Sequence, residues 1–279
     1  SATDWVTIGQ ACGAGHNGLA SAVNADGKLY TWGAGQNGRL MHGNTTNYSN
    51  PTQVGSLTDW SRTWKNTNGM FAIKTDGTLW ACGLNSSGQL GDGTTTVRSS
   101  PVQIGSLTDW FNCKISAGNN ETRVIKADGT AWAWGRNSQG RLTVGDTTNR
   151  SSPTQIGSAT DWAHVSTASG TTTYLVNTAG KLYVGGRNNQ GQLGNGNTTD
   201  TSSLAQLGSL TDWETGGASY SATMVKTDGT LWTWGYGGAG GLATGTTANA
   251  SSPVQVGSLT TWKDTDSTRG GIGMARVDA

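Results

Sequence analysis

Apolar and polar residues alternate in short segments that recur along this chain. In residues 227–235, TDGTLWTWG, Trp232 and Trp234 lie two positions apart, directly after Asp228 and Gly229. Successive side chains of a strand point to opposite faces, so the two indoles share one face. Asp-Gly favours a hairpin turn, because glycine tolerates the positive φ that such turns require. The segment therefore predicts a hairpin whose aromatic face a single hairpin cannot bury.

The same segment is repeated along the chain. Its further copies are ADGKLYTWG (25–33), TDGTLWACG (75–83), ADGTAWAWG (127–135) and TAGKLYVGG (178–186). An Asp-Trp pair keeps step with these copies, and its tryptophans are Trp5, Trp60, Trp110, Trp162 and Trp213, with Thr261-Trp262 in the sixth position. The intervals between these tryptophans are 55, 50, 52, 51 and 49 residues. Such a period predicts a propeller or array, in which stacked units bury one another's open faces.

Each unit is predicted to contain four strands, which makes the chain all-β. The first strand follows the Asp-Trp pair, the second precedes the Asp-Gly turn, the third is the Leu-Trp-x-Trp segment and the fourth is the Pro-x-Gln segment. All prolines fall in the fourth segment, at Pro51, Pro101, Pro153 and Pro253. Proline has no N–H for a central ladder, so we expect the fourth strand at the outer edge of each unit.

These observations predict a single β-propeller domain over residues 1–279, built from four-stranded blades. The repeat units fall approximately at 4–58, 59–108, 109–160, 161–211 and 212–260, with a partial unit at 261–279. The partial unit holds two strands, and aligning Arg276 with Lys74 brings Ala279 to the turn glycine. The prediction is therefore five full repeats and a half-built sixth. We expect a partner to cover its open edge, or the natural chain to run on past this sequence.

The loop after the third strand carries a family resemblance. Residues 76–91, DGTLWACGLNSSGQLG, closely resemble the repeat of the regulator of chromosome condensation (RCC1) family. The pattern recurs with losses at 26–40, 128–142, 179–194 and 228–242. The resemblance covers essentially the whole chain and implies a β-propeller. Repeat four departs from the pattern, because Gly185 replaces a strand Trp and Leu204 replaces the Pro.

The family's nucleotide-exchange members use a wedge inserted in one blade to release nucleotide from a small GTPase. Repeat spacing in this chain never stretches by more than a few residues, so no such wedge is visible. A fold alone does not carry a function, and this departure disfavours a guanine nucleotide exchange factor-like regulator.

Two sets of residues are candidates for structural and functional roles. The in-register aromatic residues are expected in the blade core: Trp32, Trp80, Trp132, Trp134, Trp232 and Trp234. The alternative is that such tryptophans stack on sugars or nucleobases. The Thr/Ser/Asn-rich rim loops vary at one position, which makes these residues candidate contacts for a partner: Tyr48, Arg98, Arg150, Thr201 and Ala250. Variable loops on a rigid scaffold are typical of binding proteins, although any one of them can be plain solvated surface.

The polar residues form no arrangement typical of catalysis. The histidines (His16, His42 and His164) lack carboxylate or cysteine neighbours at metal-ligand spacing, and His164 is expected to be hydrogen-bonded or solvent-facing. The cysteines (Cys12, Cys82 and Cys113) are odd in number and imply no disulfide framework. No helix follows the glycine-rich loops, so no phosphate cradle is predicted. We expect no enzyme activity, no cofactor and no metal.

Charge and composition narrow the partner classes. The net charge is +1 and charged residues make up 13% of the chain, which predicts no nucleic-acid binding. No apolar run approaches the roughly 20 residues needed for membrane insertion. The leading hypothesis is a non-catalytic structural or binding protein in an extracellular or virion-like assembly, such as a capsid decoration or fibre, that uses self-assembly or a protein partner. The alternative is a free-standing propeller that binds carbohydrate or protein, and a cytoplasmic location stays open.

Overall fold

The computed structural model describes residues 4–8, 10–11, 18–66, 68–110, 113–118, 120–168, 171–218, 220–267 and 273–277. Cys12 and His16 lie outside the described residues. Regular structure in the described part is nearly all strand. Helix is limited there to three short 3-10 turns, which are Gln36–Gly38, Ser138–Gly140 and Gly238–Gly240.

Five four-stranded blades follow one another along the chain, and within each the hydrogen-bonded strand order is the chain order. Blade 1 contains Trp5–Ile8, Ala20–Asn24, Leu29–Gly33 and Tyr48–Gln53. Blade 2 contains Trp60–Lys65, Gly69–Lys74, Leu79–Gly83 and Arg98–Gln103. Blade 3 contains Lys114–Ala117, Glu121–Ile125, Ala131–Gly135 and Arg150–Gln155. Blade 4 contains Trp162–Ala168, Thr172–Asn177, Leu182–Gly186 and Thr201–Gln206, and blade 5 contains Trp213–Ala218, Ser221–Lys226, Leu231–Gly235 and Ala250–Gln255. This architecture confirms the predicted all-β fold with four strands per unit.

A two-stranded hairpin of Trp262–Ser267 and Gly273–Val277 follows blade 5. Two short parallel pairings link neighbouring elements. Gln10–Ala11 pairs with the first strand of blade 2, and one bridge between Ala168 and Ala218 joins blades 4 and 5 into one eight-stranded sheet. The half-built sixth blade of the prediction therefore corresponds to this hairpin.

The chain divides into two compact units. The first unit comprises residues 1–127, 132–136 and 149–154, and it holds blades 1 and 2 with most of the blade 3 sheet. The second unit comprises residues 128–131, 137–148 and 155–279, and it holds blades 4 and 5, the final hairpin and the loop that leaves the third strand of blade 3. No helix in the described residues is long and apolar enough to cross a membrane.

The fourth strand is the terminal strand of every four-stranded blade, as the prolines predicted. Pro51, Pro101, Pro153 and Pro253 all lie inside fourth strands, where a missing N–H leaves no central ladder unpaired. In blade 4, which carries Leu204 in this position, the strand occupies the same place. The edge position therefore belongs to the repeat and does not depend on proline itself.

The turn glycines connect each blade to the next repeat. Gly229 has φ +76°, and a Cβ added there would lie 2.0 Å from the carbonyl oxygen of Thr260. The N–H of Trp262 donates to the carbonyl of Gly229 at 3.1 Å, so the Asp-Gly turn holds the start of the next Trp strand. A Cβ added at Gly77 would likewise lie 1.8 Å from the carbonyl oxygen of Thr108. Glycine is required at these turns both for positive φ and for this close approach.

The register of the final hairpin corrects one sequence alignment. In blade 2 the residue paired with Trp60 is Lys74, whereas in the hairpin the residue paired with Trp262 is Val277 and Arg276 pairs with Asp264. Val277, and not Arg276, therefore occupies the position of Lys74. The alignment missed this because the connection between the two strands is one residue longer in the hairpin: four residues separate the paired Lys65 and Met70, and five separate the paired Ser267 and Gly273.

The loop of one blade contacts the third strand of the next blade, and the strand residue at this contact is in turn small and large along the chain. Where the preceding loop carries a glycine, the third strand carries a buried Trp: a Cβ on Gly194 would lie 2.9 Å from Trp234 Nε1, and one on Gly91 would lie 2.8 Å from Trp134 Nε1. Where the loop carries a larger residue, the strand position is small. A Cβ on Gly185 would lie 2.5 Å from Thr143 Cγ2.

The second small-position contact pairs Met41 with Cys82, which lie in one buried cluster. Met41 and Thr143 both adopt positive φ, at 67° and 57°, in the place of the loop glycines. The bulk lost from the strand is therefore supplied by the loop, at the cost of backbone strain of roughly 1–3 kcal/mol at each such residue.

Candidate functional site

A cluster of one carboxylate, one lysine and two indoles lies at the Asp-Gly turn end of blade 5, and we call it the outer cluster. The Lys226 ammonium lies 3.2 Å from Asp212 Oδ2. The same ammonium stands 4.9 Å from the ring centroid of Trp213 and 4.5 Å from that of Trp232. Asp212 and Trp213 begin the first strand, Lys226 ends the second and Trp232 lies in the third. The cluster therefore uses positions that the repeat regenerates in other blades.

Blades 2 and 3 contain the same cluster. In blade 2, Lys74 pairs with Asp59 at 3.2 Å and stands 4.6 Å from the ring of Trp80. In blade 3, Lys126 pairs with Asp109 and stands 5.2 Å from the ring of Trp132. Each lysine is largely buried, and its ammonium stands beside both rings, which themselves meet edge to face at 6.1 to 6.3 Å, while its charge is met by the carboxylate.

A threonine in the turn orients the third-strand indole. Trp232 Nε1–H donates to Thr230 Oγ1 at 2.8 Å, and Thr230 Oγ1–H donates to Asp228 Oδ1 at 2.6 Å. The hydrogen bonds from the side chain and backbone N–H of Thr230 hold the pKa of the Asp228 carboxyl below its ordinary value. Trp80 and Thr78 repeat the indole bond at 2.8 Å. The Asp-Gly-Thr-Leu-Trp sequence thus fixes both the turn and the ring.

Blade 4 changes this cluster at four positions together. Asn177 stands in the place of Lys226, Ala179 in the place of Asp228, Lys181 in the place of Thr230 and Tyr183 in the place of Trp232. These positions align through the strand pairs Trp162–Asn177 and Trp213–Lys226.

The outcome is a cluster that holds no lysine between its rings. Asn177 Nδ2–H donates to Asp161 Oδ2 at 2.9 Å, and Asn177 Oδ1 accepts from the backbone N–H of Lys181 at 2.9 Å. The rings of Trp162 and Tyr183 meet edge to face at 5.0 Å and 89°. Within the described part of the chain, Asp161 forms no ion pair.

A groove of about 600 Å³ opens over this cluster, and we call it groove 4. Its walls are residues 143–145 from the loop leaving blade 3, residues 156–159, and Ser203 and Leu204 from the fourth strand of blade 4. Asp161, Trp162, Asn177 and Tyr183 complete its lining. Groove 4 therefore offers two aromatic rings and a carboxylate that, among the described residues, has a hydrogen bond from Asn177 but no ion pair, and such a concave surface is the usual form of a ligand site.

The equivalent groove of blade 5 is smaller. It measures about 410 Å³, and we call it groove 5. Trp213, Lys226 and Trp232 line it, together with Ser252 and Pro253, which match Ser203 and Leu204. The side chains differ as well: Asn177 replaces the longer Lys226, and the two rings lie 5.0 Å apart in blade 4 against 6.3 Å in blade 5.

The indole N–H groups of the Asp-Trp positions share an unusual feature. Five of these nitrogens are buried and have no hydrogen-bond partner in the described residues: Trp60, Trp110, Trp162, Trp213 and Trp262. An unmet buried donor is destabilising by roughly 1–3 kcal/mol. The repeat keeps this indole in spite of that cost. Among the five, Trp162 lines groove 4.

The candidate rim contacts lie at the starts of fourth strands and not within loops. Each is half-buried, and four pair with the glycine that ends the third strand: Tyr48 with Gly33, Arg98 with Gly83, Thr201 with Gly186 and Ala250 with Gly235, while Arg150 begins the fourth strand of blade 3. The correction arises because the ladder extends three residues before the proline. Their role as partner contacts stays a prediction.

Two of these residues are already engaged by their own loops. Arg98 Nε lies 2.6 Å from Asp92 Oδ2. Burial raises the pKa of the Asp92 carboxyl, but hydrogen bonds from Arg98 and Thr94 outweigh it and hold that pKa below its ordinary value. The ring of Tyr48 packs on that of His42 at 4.5 Å. These contacts stiffen the rim.

The predicted core tryptophans differ in burial. Trp134 and Trp234 are fully buried, and their Nε1–H groups donate to the carbonyls of Gln89 and Gln192 at 3.0 and 2.8 Å. The others are half-buried: Trp32, Trp80, Trp132 and Trp232. Trp80, Trp132 and Trp232 pack on the outside of the core clusters.

The remaining candidate groups are structural in their surroundings. His164 Nε2 bonds to the Gly216 carbonyl at 3.1 Å, which confirms a satisfied histidine. Cys82 and Cys113 are free and buried, and burial raises the pKa of each thiol to about 12. In the described part of the chain, no group of three or more potential metal ligands comes together.

Sequence reasoning did not identify groove 4. The signal was present as a concerted change of Lys, Thr and Trp to Asn, Lys and Tyr at positions 177, 181 and 183, which blade 1 shares at Asn24, Lys28 and Tyr30. Reading it requires knowing that these positions share one cluster with Asp161 and Trp162. In blade 1 the moved lysine pairs locally, because Lys28 lies 2.9 Å from Asp26, whereas blade 4 has Ala179 in the position of Asp26.

The sequence model of the regulator of chromosome condensation (RCC1) repeat matches residues 26–62, 76–125, 128–175 and 228–265. These regions together cover more than half of the chain. The third and fourth strands of blade 4, Leu182–Gly186 and Thr201–Gln206, fall between the matched regions. Two strands of the blade that carries groove 4 are therefore outside the matched family pattern.

Two curated proteins and one solved structure place the chain among known propellers. Human E3 ubiquitin-protein ligase HERC2 is 26% identical over 194 residues, which are 68% of this chain and 4% of HERC2. The Arabidopsis thaliana ultraviolet-B receptor UVR8 is 29% identical over 196 residues, 68% of this chain and 43% of UVR8. The chain thus spans less than half the length of these relatives. Prp20p from Saccharomyces cerevisiae superposes with a TM-score of 0.71 at 16% identity, covering 88% of this chain and 62% of that one, which shows a shared fold.

Proposed function

Because the chain belongs to the RCC1 repeat family, we propose that it is a non-catalytic binding protein that holds a protein partner on a β-propeller scaffold. Groove 4 is the observation that carries the proposal. It combines the Asp161 carboxylate, which forms no ion pair with any described residue, with the rings of Trp162 and Tyr183 and a volume of about 600 Å³. The structurally similar Prp20p was described with its binding properties to Gsp1p and histones, which supports a protein partner as the class.

The geometry favours protein over carbohydrate as the ligand of this groove. Sugars stack on flat, exposed aromatic faces, whereas Trp162 is only 7% exposed and meets Tyr183 edge to face. The lining of the groove therefore offers a recess and the Asp161 carboxylate, and not an exposed flat ring. A carbohydrate ligand is therefore the second outcome that the experiment below must separate from the first.

The assembly role predicted from the sequence belongs to this proposal. We propose an exposed extracellular or virion-like assembly as the setting, with a cytoplasmic setting as the alternative, on the grounds of the neutral, Thr- and Gly-rich composition with 13% charged residues. A protein partner or a second copy can also add a strand to the final hairpin, whose strands Trp262–Ser267 and Gly273–Val277 pair, within the described residues, with each other alone.

Native mass spectrometry of the protein isolated without denaturation tests the proposal. Ser203→Tyr, on the exposed wall of groove 4, narrows the groove, and Ser252→Tyr makes the matched change in groove 5. We expect a complex with a second protein in the unmodified chain and in Ser252→Tyr, and loss of that complex in Ser203→Tyr. A complex that survives Ser203→Tyr, a bound glycan in place of a protein, or monomer alone in the unmodified chain would overturn the proposal.

A further inference from the structure

Building on the proposed function, we propose that groove 4 binds the ammonium group of a lysine side chain supplied by the protein partner. Three other blades of this chain already contain the bound form of such a group. In each, a lysine ammonium lies between a carboxylate and two indoles: Lys74, Lys126 and Lys226. The internal lysines thus show the ligand chemistry for which these positions are suited.

Blade 4 retains every part of this site except the lysine. Asp161 occupies the position of Asp212, Trp162 that of Trp213, and the aromatic Tyr183 that of Trp232. The shorter, neutral Asn177 donates to one oxygen of Asp161 and brings no positive charge to it. An incoming lysine would therefore restore charge balance at Asp161 and place its ammonium beside the two rings.

The nearest lysine of the chain itself does not fill this place. The backbone N–H of Lys181 is bound to Asn177 Oδ1, and its side chain makes no ion pair with Asp161 in the described residues. Lys181 is a competing cation, because it lies two residues from Tyr183 in the same strand region. Its removal is expected to strengthen the binding of an external lysine.

The rest of the groove suits a peptide better than a free amine. A butylammonium stem fills only a small part of about 600 Å³, and the lining also includes the serines Ser158 and Ser203. These groups can bond the polar backbone on either side of a lysine. We therefore commit to a lysine within a polypeptide chain.

The test uses three probes in an NMR titration that follows the indole N–H resonances of Trp162 and Trp213. The probes are acetyl-Gly-Lys-Gly-amide, its norleucine analogue, and n-butylammonium. We expect the lysine peptide to shift Trp162 saturably and leave Trp213 unmoved, because Lys226 fills groove 5. The norleucine peptide and n-butylammonium should each bind at least about tenfold more weakly, a difference of about 1.4 kcal/mol. Equal binding of norleucine, or of butylammonium, would overturn the proposal.

Variants exchange the two blades in both directions. Asn177→Lys moves the blade 5 lysine into blade 4 and should abolish the Trp162 shift. Lys226→Asn opens groove 5 and should create a shift at Trp213, so a gain of binding supports the proposal even if one variant folds poorly. Lys181→Gln should raise affinity about twofold to tenfold. Unchanged lysine binding in a folded Asn177→Lys variant would overturn it.

The two proposals fail separately. If Ser203→Tyr releases the partner but the norleucine peptide binds as well as the lysine peptide, the binding function stands and the lysine assignment is wrong. If Ser203→Tyr leaves the partner bound, the binding function of groove 4 itself is wrong.

Discussion

Blades 4 and 5 are adjacent repeats with the same four strands, yet they are opposites at two places. At the next-to-last residue of the third strand, which we call the inner position, blade 4 has Gly185 and blade 5 has the fully buried Trp234. In the outer cluster, blade 4 has Asn177 where blade 5 has Lys226. Two repeats with the same strands can therefore differ in the size and the charge of the side chains at equivalent positions.

The two differences have opposite consequences. At the inner position the missing bulk is replaced, because Thr143 of the preceding loop reaches the space that Gly185 leaves. At the outer position the missing lysine is not replaced, and a groove remains. A space refilled from within the chain serves packing, whereas the groove left open beside Asp161 is the feature on which the proposed binding function rests.

The largest expected effect is at the inner position of blade 5. Trp234→Ala should lower the free energy of unfolding by about 3–5 kcal/mol, because it removes a fully buried indole and its hydrogen bond to Gln192. Chemical denaturation measures the loss. Trp32→Ala, at the same repeat position but half-buried, is the control and should lose clearly less. Equal losses would show that burial of this position does not differ between blades.

The close packing of Thr143 on Gly185 in blade 4 can be disrupted by one substitution and relieved by a second. Gly185→Ala should destabilise by about 1–3 kcal/mol, because its Cβ would meet Thr143 Cγ2 at 2.5 Å. Adding Thr143→Gly should recover part of this loss, since it removes that methyl and relieves a φ of 57°. The remainder reflects Ser203 O, 2.9 Å away. A double-mutant cycle measures the coupling, and strict additivity would contradict this account.

The outer cluster of blade 5 should be sensitive to charge. Lys226→Met keeps the alkyl stem but removes the ammonium from Asp212, Trp213 and Trp232, and should destabilise by about 1–2 kcal/mol. Asn177→Ala in blade 4 removes its hydrogen bonds and should cost about 1 kcal/mol. Urea unfolding at low and high salt distinguishes them, because only the lysine effect should shrink with salt.

The smallest effect concerns acid stability at the turn. Asp228 has a lowered pKa in the folded chain, so its contribution is present above its unfolded value of 3.8 and is lost as pH falls through the lower folded value. Asp228→Ala copies Ala179 of blade 4 and should make the fall in Tm below about pH 4 slightly shallower. Asp76→Ala should behave alike, because Thr78 lowers the pKa of Asp76 by the same bonds. A steeper fall in either variant would reverse the assigned sign.

Features that depend on interactions within a few residues were predictable from the sequence, and features that depend on distant residues were not. Strand number, turns and the edge position of Pro51 and Pro253 were predictable, because alternation and turn glycines act within a few residues. The last hairpin was placed one residue out of register, because the connection between its strands is one residue longer than in blade 2 and no motif marks the extra residue. The rim residue Arg98 was expected in a loop, yet its ladder begins opposite Gly83.

By itself the sequence determined a propeller of repeated four-stranded blades, because each copy writes its own strands and its own turn. The tertiary structure alone decided that Trp234 is buried while Trp232 is half-buried, although alternation places both on one face. It also decided that Asn177 leaves groove 4 open. The physical reason is common to both: burial and cavity depend on what the loop of the preceding blade brings against the strand, and that neighbour is some 40 residues away in the chain.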